Sequence, residues 1–232
     1  MMIILVHTAA IADDLTILAT GAVGDGQTLC TAGIQKAIDQ VSTAGGGRVT
    51  VPHGIFKSGS LFLKRGVELH LAEGAVLLGS TELSDYPKRE TRIEGHFEPW
   101  TSALINGQDL DQVTITGRGT LDGNGKPFWI AFWKRRAENP KCTNLEVERP
   151  RLVFLQNCEN VTIDGIHLKD SGFWNLHVYK CRDGLIENIT IRAPHGDPPK
   201  IIGQSQPWNE ISVDRAPSSD GIDSKAHLDC DV

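Results

Sequence analysis

The sequence predicts an all-β solenoid, a parallel β-helix whose N-terminal end is covered by an α-helix. Short segments rich in β-branched residues and separated by Gly, Asn or Asp make up most of the 232 residues, as is typical of strands joined by turns. Two segments, 158–168 and 181–191, share one pattern at an offset of 23 residues. A repeat of about 20–30 residues built from β-rich units indicates stacked coils. The LxxLxLxxN pattern of leucine-rich repeats, which have a similar period, is absent.

The covering helix is predicted where the hydrophobic period changes. Four apolar residues recur at the i, i+3, i+4, i+7 spacing of one helix face: Ile34, Ala37, Ile38 and Val41. Thr31 is expected to be the N-cap, and the run Ala-Gly-Gly-Gly at 44–47 is expected to end the helix. An amphipathic helix at this place would cover the apolar end of the first coil.

The coil pattern extends in both directions from the repeat. The same pattern recurs at Leu110, 48 residues before Cys158, and at Cys230, 49 residues after Cys181. Each distance predicts two coils with an insertion, and segment 128–139 in the first of them is expected to be a short helix or a loop packed on the coil. Equivalent residues of stacked coils lie about 4.8 Å apart, so Cys158 and Cys181 are interpreted as free thiols in an interior ladder.

Charge and cysteine usage narrow the classes of function. The formal net charge of −6 argues against a nucleic-acid partner, because phosphate binding requires a basic surface. A polyanionic sugar substrate is compatible with this net charge, since a few Lys or Arg side chains in a groove can attract it locally. The five cysteines form no CxxC motif or Cys/His cluster. Neither a metal nor a cofactor is expected, and no signature of a particular oligomer is present.

The two ends of the chain differ from its body. Residues 1–15 hold a short apolar run and small residues without a basic start, and they are interpreted as the remainder of a secretory signal or as a disordered start. Residues 16–232 are interpreted as one incomplete β-helix domain, truncated at its C-terminal end, because the coil that begins at Cys230 is cut at Val232. No stretch is long enough to span a membrane, and a secreted or periplasmic protein is expected.

Five motifs, in order, resemble glycoside hydrolase family 28, the polygalacturonase-like pectin hydrolases. They are GAVGDGQTLCTAGIQKAIDQ (21–40), the block GGGRVTVPHGIF to ELSDYP (45–87), GRGTLDGNG (117–125), SGFWNLHVYKC (171–181) and APSSDGID (216–223). The resemblance runs from Thr16 to Cys230 and implies a right-handed, pectin-lyase-like parallel β-helix. It also implies that the substrate is pectin or an oligogalacturonide, cleaved at α-1,4 links by an inverting mechanism. In that mechanism one carboxylic acid protonates the leaving oxygen and a carboxylate activates water.

The resemblance identifies Asp220 as a catalytic residue. Where the family has Asn-Thr-Asp-Gly, residues 218–221 read Ser-Ser-Asp-Gly, so Asp220 is expected to help activate the attacking water. The two serines keep the hydrogen-bonding capacity of Asn and Thr with a shorter reach. Asp223 is interpreted as either a groove residue or a turn residue.

Strand alternation adds two candidate groove residues. Along segment 173–179, Trp174 and Leu176 fall on one face, and Asn175 and His177 fall on the other. If the first face is core, Asn175 and His177 point towards the groove near Asp220. The alternative is ordinary surface polarity.

The remaining motifs of the resemblance, an Asp-Asp pair one coil after Asp220, Gly-His-Gly and Arg-Ile-Lys, are not found at those places in this sequence. The chain as given is therefore expected to be inactive, because the general acid and the basic residues for substrate carboxylates are missing. Two other classes stay open. A polysaccharide lyase on the same scaffold would use clustered acids that hold calcium and an Arg or Lys base, and a non-catalytic β-helix would bind carbohydrate without turnover.

Overall fold

A computed structural model describes residues 14–194, 215–218, 221–225 and 230–231, in which three parallel sheets, A, B and C, build a β-helix. Sheet A consists, in spatial order, of β1 (Leu15–Thr16), β3 (Gly47–Val51), β6 (Val67–Leu71), β11 (Asp111–Gly117), β14 (Glu159–Asp164), β17 (Arg182–Glu187) and β20 (Cys230–Asp231). Sheet B consists of β2 (Asp25–Leu29), β4 (Gly54–Ser58), β7 (Ala75–Gly79), β12 (Thr120–Asp122), β15 (His167–Lys169) and β18 (Thr190–Arg192).

Sheet C carries the last strand of each coil. It consists of β5 (Leu61–Phe62), β10 (Ile105–Gln108), β13 (Val153–Gln156), β16 (Leu176–Tyr179) and β19 (Ile222–Lys225). From β3 onward the chain visits sheets A, B and C in turn, as a β-helix requires. Within the described ranges, two insertions leave this path before sheet C: an antiparallel hairpin of β8 (Lys88–Ile93) and β9 (His96–Thr101), and helix α2 (Lys126–Glu138). Short 3₁₀ turns lie at Ile17–Thr20, Leu83–Asp85 and Asn144–Glu146.

Alternate residues of sheet A point into the coil and form an aliphatic ladder. The register aligns Val49, Leu69, Ile115, Ile163 and Ile186, and none of these side chains is more than 4% exposed. Burying one such side chain stabilises a fold by about 1.5–3 kcal/mol. The ladder explains why apolar β-branched residues recur at a constant offset in the sequence.

The predicted covering helix is confirmed as α1 (Thr31–Thr43), which follows β2 where a strand of sheet C would otherwise follow. Its four predicted core residues are buried: Ile34, Ala37, Ile38 and Val41. The predicted N-cap is wrong. Cys30 occupies that position, and the Thr31 hydroxyl accepts a hydrogen bond from the Gly59 N–H at 2.8 Å instead. Ser and Thr hydroxyls bond to whichever backbone group lies within reach, and here that group belongs to the next coil.

The strand register confirms part of the predicted repeat. Val161 pairs with Gly184, the predicted offset of 23, and Val113 pairs with Val161, the predicted offset of 48. The predicted equivalence of Cys230 with Cys181 is wrong, because Cys230 pairs with Gly184. This three-residue difference exchanges the two faces of the strand. A match of two residues beyond an insertion is too short to define a register.

The cysteines described by the structure are free thiols, as predicted. Cys30, Cys142, Cys158 and Cys181 are all buried. The Cys158 N–H donates to Cys181 Sγ at 3.4 Å. The two thiols therefore form the expected interior ladder of neighbouring coils.

The aromatic insertion forms helix α2, with a proline in its first turn. Pro is favourable there because the first backbone N–H groups of a helix have no acceptor within the helix. Phe128 joins the main core, whereas Trp129, Phe132 and Trp133 form a second cluster together with Cys142 and Ala216. None of the helices in the described ranges has the length and hydropathy needed to cross a bilayer.

Candidate active site

The outward face of sheet C carries two of the residues predicted for the site, His177 and Asp223. The inward side chains of its strands, such as Leu176 and Val178, are buried in the main core. One outward residue of each strand is aligned by the register, and the row reads Phe62, Asn106, Phe154, His177 and Asp223. The alternation predicted for segment 173–179 is therefore present, with His177 on the face opposite the core.

Hairpin β8–β9 covers much of this outward face. The Arg92 guanidinium lies 4.9 Å from the ring centroid of Tyr179, and the Phe97 ring lies 6.0 Å from the same ring. The hairpin also contributes Ile93 and Trp100 to a cluster with Phe173 and Trp174. This cover was not predictable from the sequence, because strand alternation reports which face a residue occupies and not what packs against that face.

The structure buries Asn175 and His177 completely, at 0% exposure. The alternative of ordinary surface polarity is therefore wrong for both residues. His177 is covered by the rings of Phe154 and Trp174 and by Arg151. Contact with substrate remains a prediction for Asn175 and His177.

His177 is held in one orientation by its neighbours. Its ring lies 4.9 Å from the Phe154 ring and 4.8 Å, edge to face, from the Trp174 ring. Arg151 Nη1 lies 2.9 Å from His177 Nδ1. A guanidinium has donors only, so Nδ1 accepts this hydrogen bond and the ring carries its proton on Nε2. His177 therefore presents a hydrogen-bond donor at Nε2.

Asp223 lies within β19, directly opposite His177 in the register, and its side chain is half-buried. The alternative that Asp223 is a turn residue is therefore wrong, whereas its role in a groove remains a prediction. Asp220, the predicted catalytic residue, lies outside the described residues together with Ser219. Among the described residues, no three His, Cys, Asp or Glu side chains are grouped so as to hold a metal ion.

The segment directly before Asp220 is held by the α2 insertion. Trp133 Nε1 donates to the Arg215 carbonyl at 2.7 Å, and Arg149 Nη1 donates to the Pro217 carbonyl at 3.0 Å. The Ser218 hydroxyl donates to Asn144 Oδ1 at 3.0 Å. These three hydrogen bonds restrict the backbone of residues 215–218.

Arg149 and Arg151 are site residues that the sequence analysis missed. Arg149 is fully buried between the rings of Phe132 (4.2 Å) and Phe173 (4.4 Å). Desolvation lowers the pKa of both guanidinium groups to about 9. The signal that could have found them is the triplet Arg-Pro-Arg at 149–151, directly before the apolar run Leu-Val-Phe-Leu at 152–155, because arginine is almost never fully buried unless it is paired.

Comparison with known proteins assigns the family. The sequence profile of Glycosyl hydrolases family 28 matches residues 46–227. The chain is 39% identical over 139 residues to the exo-poly-alpha-D-galacturonosidase of Dickeya chrysanthemi, covering 56% of this chain and 22% of that protein. It is 31% identical over 191 residues to an exopolygalacturonase of Zea mays, covering 79% of this chain and 41% of that protein.

A solved structure agrees with these sequence relatives. The crystal structure of a hyperthermoactive exopolygalacturonase from Thermotoga maritima superimposes with a TM-score of 0.68 at 29% identity, over 79% of this chain and 48% of that one. The predicted right-handed parallel β-helix is thereby confirmed. The chain spans less than half the length of each of these three proteins. Because the family profile covers most of its residues, the chain belongs to glycosyl hydrolases family 28.

Proposed function

We propose that the protein to which this chain belongs hydrolyses α-1,4-galacturonosyl links of pectin by an inverting acid/base mechanism. The supporting observation is the pairing of Asp223 with His177 on the outward face of sheet C, three residues after Asp220, in a chain of family 28. The named relatives and the solved structure are galacturonosidases or polygalacturonases. A polymeric substrate outside the cell fits a secreted or periplasmic protein.

The proposed roles follow from the chemistry of inversion. Asp220 is the carboxylate that helps to activate water, and Asp223 is a second acidic residue beside it in the groove. His177 presents its Nε2–H to this region, held by Arg151. An inverting pair of carboxyl groups stands about 6.5–9.5 Å apart to admit the water. The 232 residues contain no Gly-His-Gly and no Arg-Ile-Lys, so we expect this chain by itself to bind substrate without hydrolysing it.

The test is an assay of polygalacturonate with the product of the complete gene and with the 232-residue chain. We expect the complete product to release reducing ends with inverted anomeric configuration, and Asp220→Asn to lower the rate at least about a hundredfold, as is typical for loss of a general base. The matched control is Asp39→Asn on the exposed face of α1.

Four outcomes would each contradict the proposal or one of its parts. An unsaturated, ultraviolet-absorbing product would identify a lyase. Binding of the sugar by the complete product without turnover would identify a carbohydrate-binding protein. Full activity of Asp220→Asn would remove Asp220 from the reaction, and hydrolysis by the 232-residue chain would refute its expected inactivity.

A further inference from the structure

A cleft of about 190 Å³ lies between hairpin β8–β9 and the outward face of sheet C. The charged and amide side chains that line it are Lys64, Arg89, Glu90, Asn106, Gln108 and Arg151. Sites for drug-sized molecules have volumes of roughly 300–1,000 Å³. This cleft is smaller, and its size fits one sugar unit rather than a long stretch of polymer.

The charge of the cleft is opposite to that of the chain. Lys64, Arg89 and Arg151 supply positive charge and Glu90 is the acidic residue among the lining side chains, whereas the whole chain has a net charge of −6. Within the described part of the chain, none of the three basic residues forms an ion pair. Basic groups left without counter-charges in a concave surface attract an anion.

The part of this positive charge that Arg151 carries is buried. Its side chain is 1% exposed, and its Nη groups donate to three neutral acceptors: the Arg92 carbonyl, the Thr91 hydroxyl and His177 Nδ1. Burial lowers the pKa of Arg151 to about 9, which leaves the guanidinium protonated at neutral pH. A charge in surroundings of low dielectric acts on a nearby anion more strongly than an exposed charge does.

The walls of the cleft add groups that suit a sugar ring. Arg89 is positioned by the Phe62 ring, with its guanidinium carbon 3.8 Å from the ring centroid. The Gln108 amide lines the cleft and can bond a sugar hydroxyl, while Phe62 and Phe154 provide apolar surface.

We infer that this cleft binds one uronate unit, a sugar ring with a carboxylate. Lys64 and Arg89 contact the carboxylate, Gln108 bonds a hydroxyl group, and buried Arg151 supplies a fixed positive field beneath them. The inference rests on the proposed function, because it names the part of the groove that selects an anionic substrate. It places this selection between hairpin β8–β9 and the outward face of sheet C.

The test measures binding and does not depend on turnover. Calorimetric titration of the 232-residue chain with tri-galacturonate is compared with titration by the uncharged methyl ester. We expect the double variant Lys64→Gln/Arg89→Gln to weaken tri-galacturonate binding by about tenfold or more, as expected for the loss of two charge-assisted contacts. The control is Arg65→Gln, which removes one positive charge from the adjacent exposed residue outside the cleft.

The outcomes separate this inference from the proposed function. Unchanged affinity of the double variant, equal binding of the methyl ester, or no binding of tri-galacturonate by the unaltered chain would each overturn the inference, even if the complete gene product hydrolyses polygalacturonate. Loss of tri-galacturonate binding in the double variant supports the cleft, even if the complete product has no hydrolase activity and the proposed function fails.

Discussion

At the scale of the residue, two buried arginines connect parts of the chain that lie far apart in the sequence. Arg151 joins hairpin β8–β9 to His177 on sheet C, and Arg149 joins the α2 insertion to Pro217. A planar guanidinium has five donors in a fixed arrangement, so one side chain bonds several elements at defined angles. Lysine has the same charge and cannot reproduce this geometry.

A carboxylate on the outward face of sheet A shows how single residues link stability to pH. Burial raises the pKa of Glu68, but hydrogen bonds from Thr116 and Arg48 and the charge of Arg48 outweigh burial and hold the pKa below its ordinary value of 4.5. A carboxylate whose pKa is lower in the folded state stabilises the fold fully above its unfolded-state pKa. That contribution is lost as the pH falls through the folded-state pKa.

We therefore expect Glu68→Gln to lower the free energy of unfolding by about 0.5–1 kcal/mol at neutral pH, the upper range for a partly exposed ion pair. The difference from the unaltered chain should shrink below pH 4.5 and vanish once the pH passes the folded-state pKa. Urea unfolding of both chains at a series of pH values measures this. Glu73→Gln, on an exposed residue of the same surface, is the control, and a difference that grows on acidification contradicts the prediction.

At the scale of the element, hairpin β8–β9 and the α2 insertion each pack against the outside of the β-helix and hold neighbouring residues in place. Hairpin β8–β9 packs against Tyr179 on the outward face of sheet C and accepts a hydrogen bond from Arg151. Helix α2 and the residues after it hold segment 215–218. Both insertions leave the coil between sheets B and C, so both arrive beside sheet C, the sheet that carries Asp223.

A substitution of Trp133 tests whether α2 holds segment 215–218 in place. Trp133→Phe removes the hydrogen bond to the Arg215 carbonyl while keeping an aromatic ring in the cluster. We expect a loss of about 1–3 kcal/mol in the free energy of unfolding, from the unpaired carbonyl and the smaller ring. We also expect faster hydrogen exchange at the Ala216 N–H, which donates to the Pro194 carbonyl at 2.8 Å.

Trp129→Phe is the matched control for Trp133→Phe. It loses the corresponding bond, from Trp129 Nε1 to the Ser171 carbonyl at 2.8 Å, and should cost similar stability. Its effect on Ala216 exchange should be smaller, because Ser171 lies outside segment 215–218. Equal exchange at Ala216 in the two variants would show that α2 does not hold the segment through Trp133.

At the scale of the whole molecule, stability is a sum of contacts between neighbouring coils. A solenoid buries each coil against the coils before and after it, as the ladder from Val49 to Ile186 shows. The first coil has a neighbour on one side only, and α1 covers its other side with buried residues such as Ile38. The helix is therefore required by the architecture, although it belongs to none of the sheets.

Shortening a side chain on the buried face of α1 should destabilise the whole β-helix. We expect Ile38→Ala to lower the free energy of unfolding by about 2–5 kcal/mol, the usual range for a fully buried aliphatic residue. Lys36→Ala, on the exposed face of the same helix, should change it by no more than about 0.5 kcal/mol. Equilibrium unfolding in urea, followed by circular dichroism, measures both. Equal stability of the two variants would mean that α1 is not part of the cooperative unit.

Features that depend on residues close together in the chain, or on the repeat, could be predicted without the structure. The buried face of α1, the offset that pairs Val161 with Gly184, the ladder of Cys158 and Cys181, and the face occupied by His177 all follow from local periodicity. Side-chain direction has a period of two in a strand and 3.6 in a helix. These features were therefore predictable without tertiary contacts.

The contacts that cover the predicted site join residues far apart in the sequence, and only the structure shows them. Arg151 bonds Thr91, 60 residues away, and Trp133 bonds Arg215, 82 residues away. The bond to Thr91 holds Arg151 beside His177 and at the wall of the cleft. The register at Cys230 likewise depended on pairing across an insertion. Local patterns cannot specify these features, because the chain path through an insertion is set by packing between residues distant in sequence.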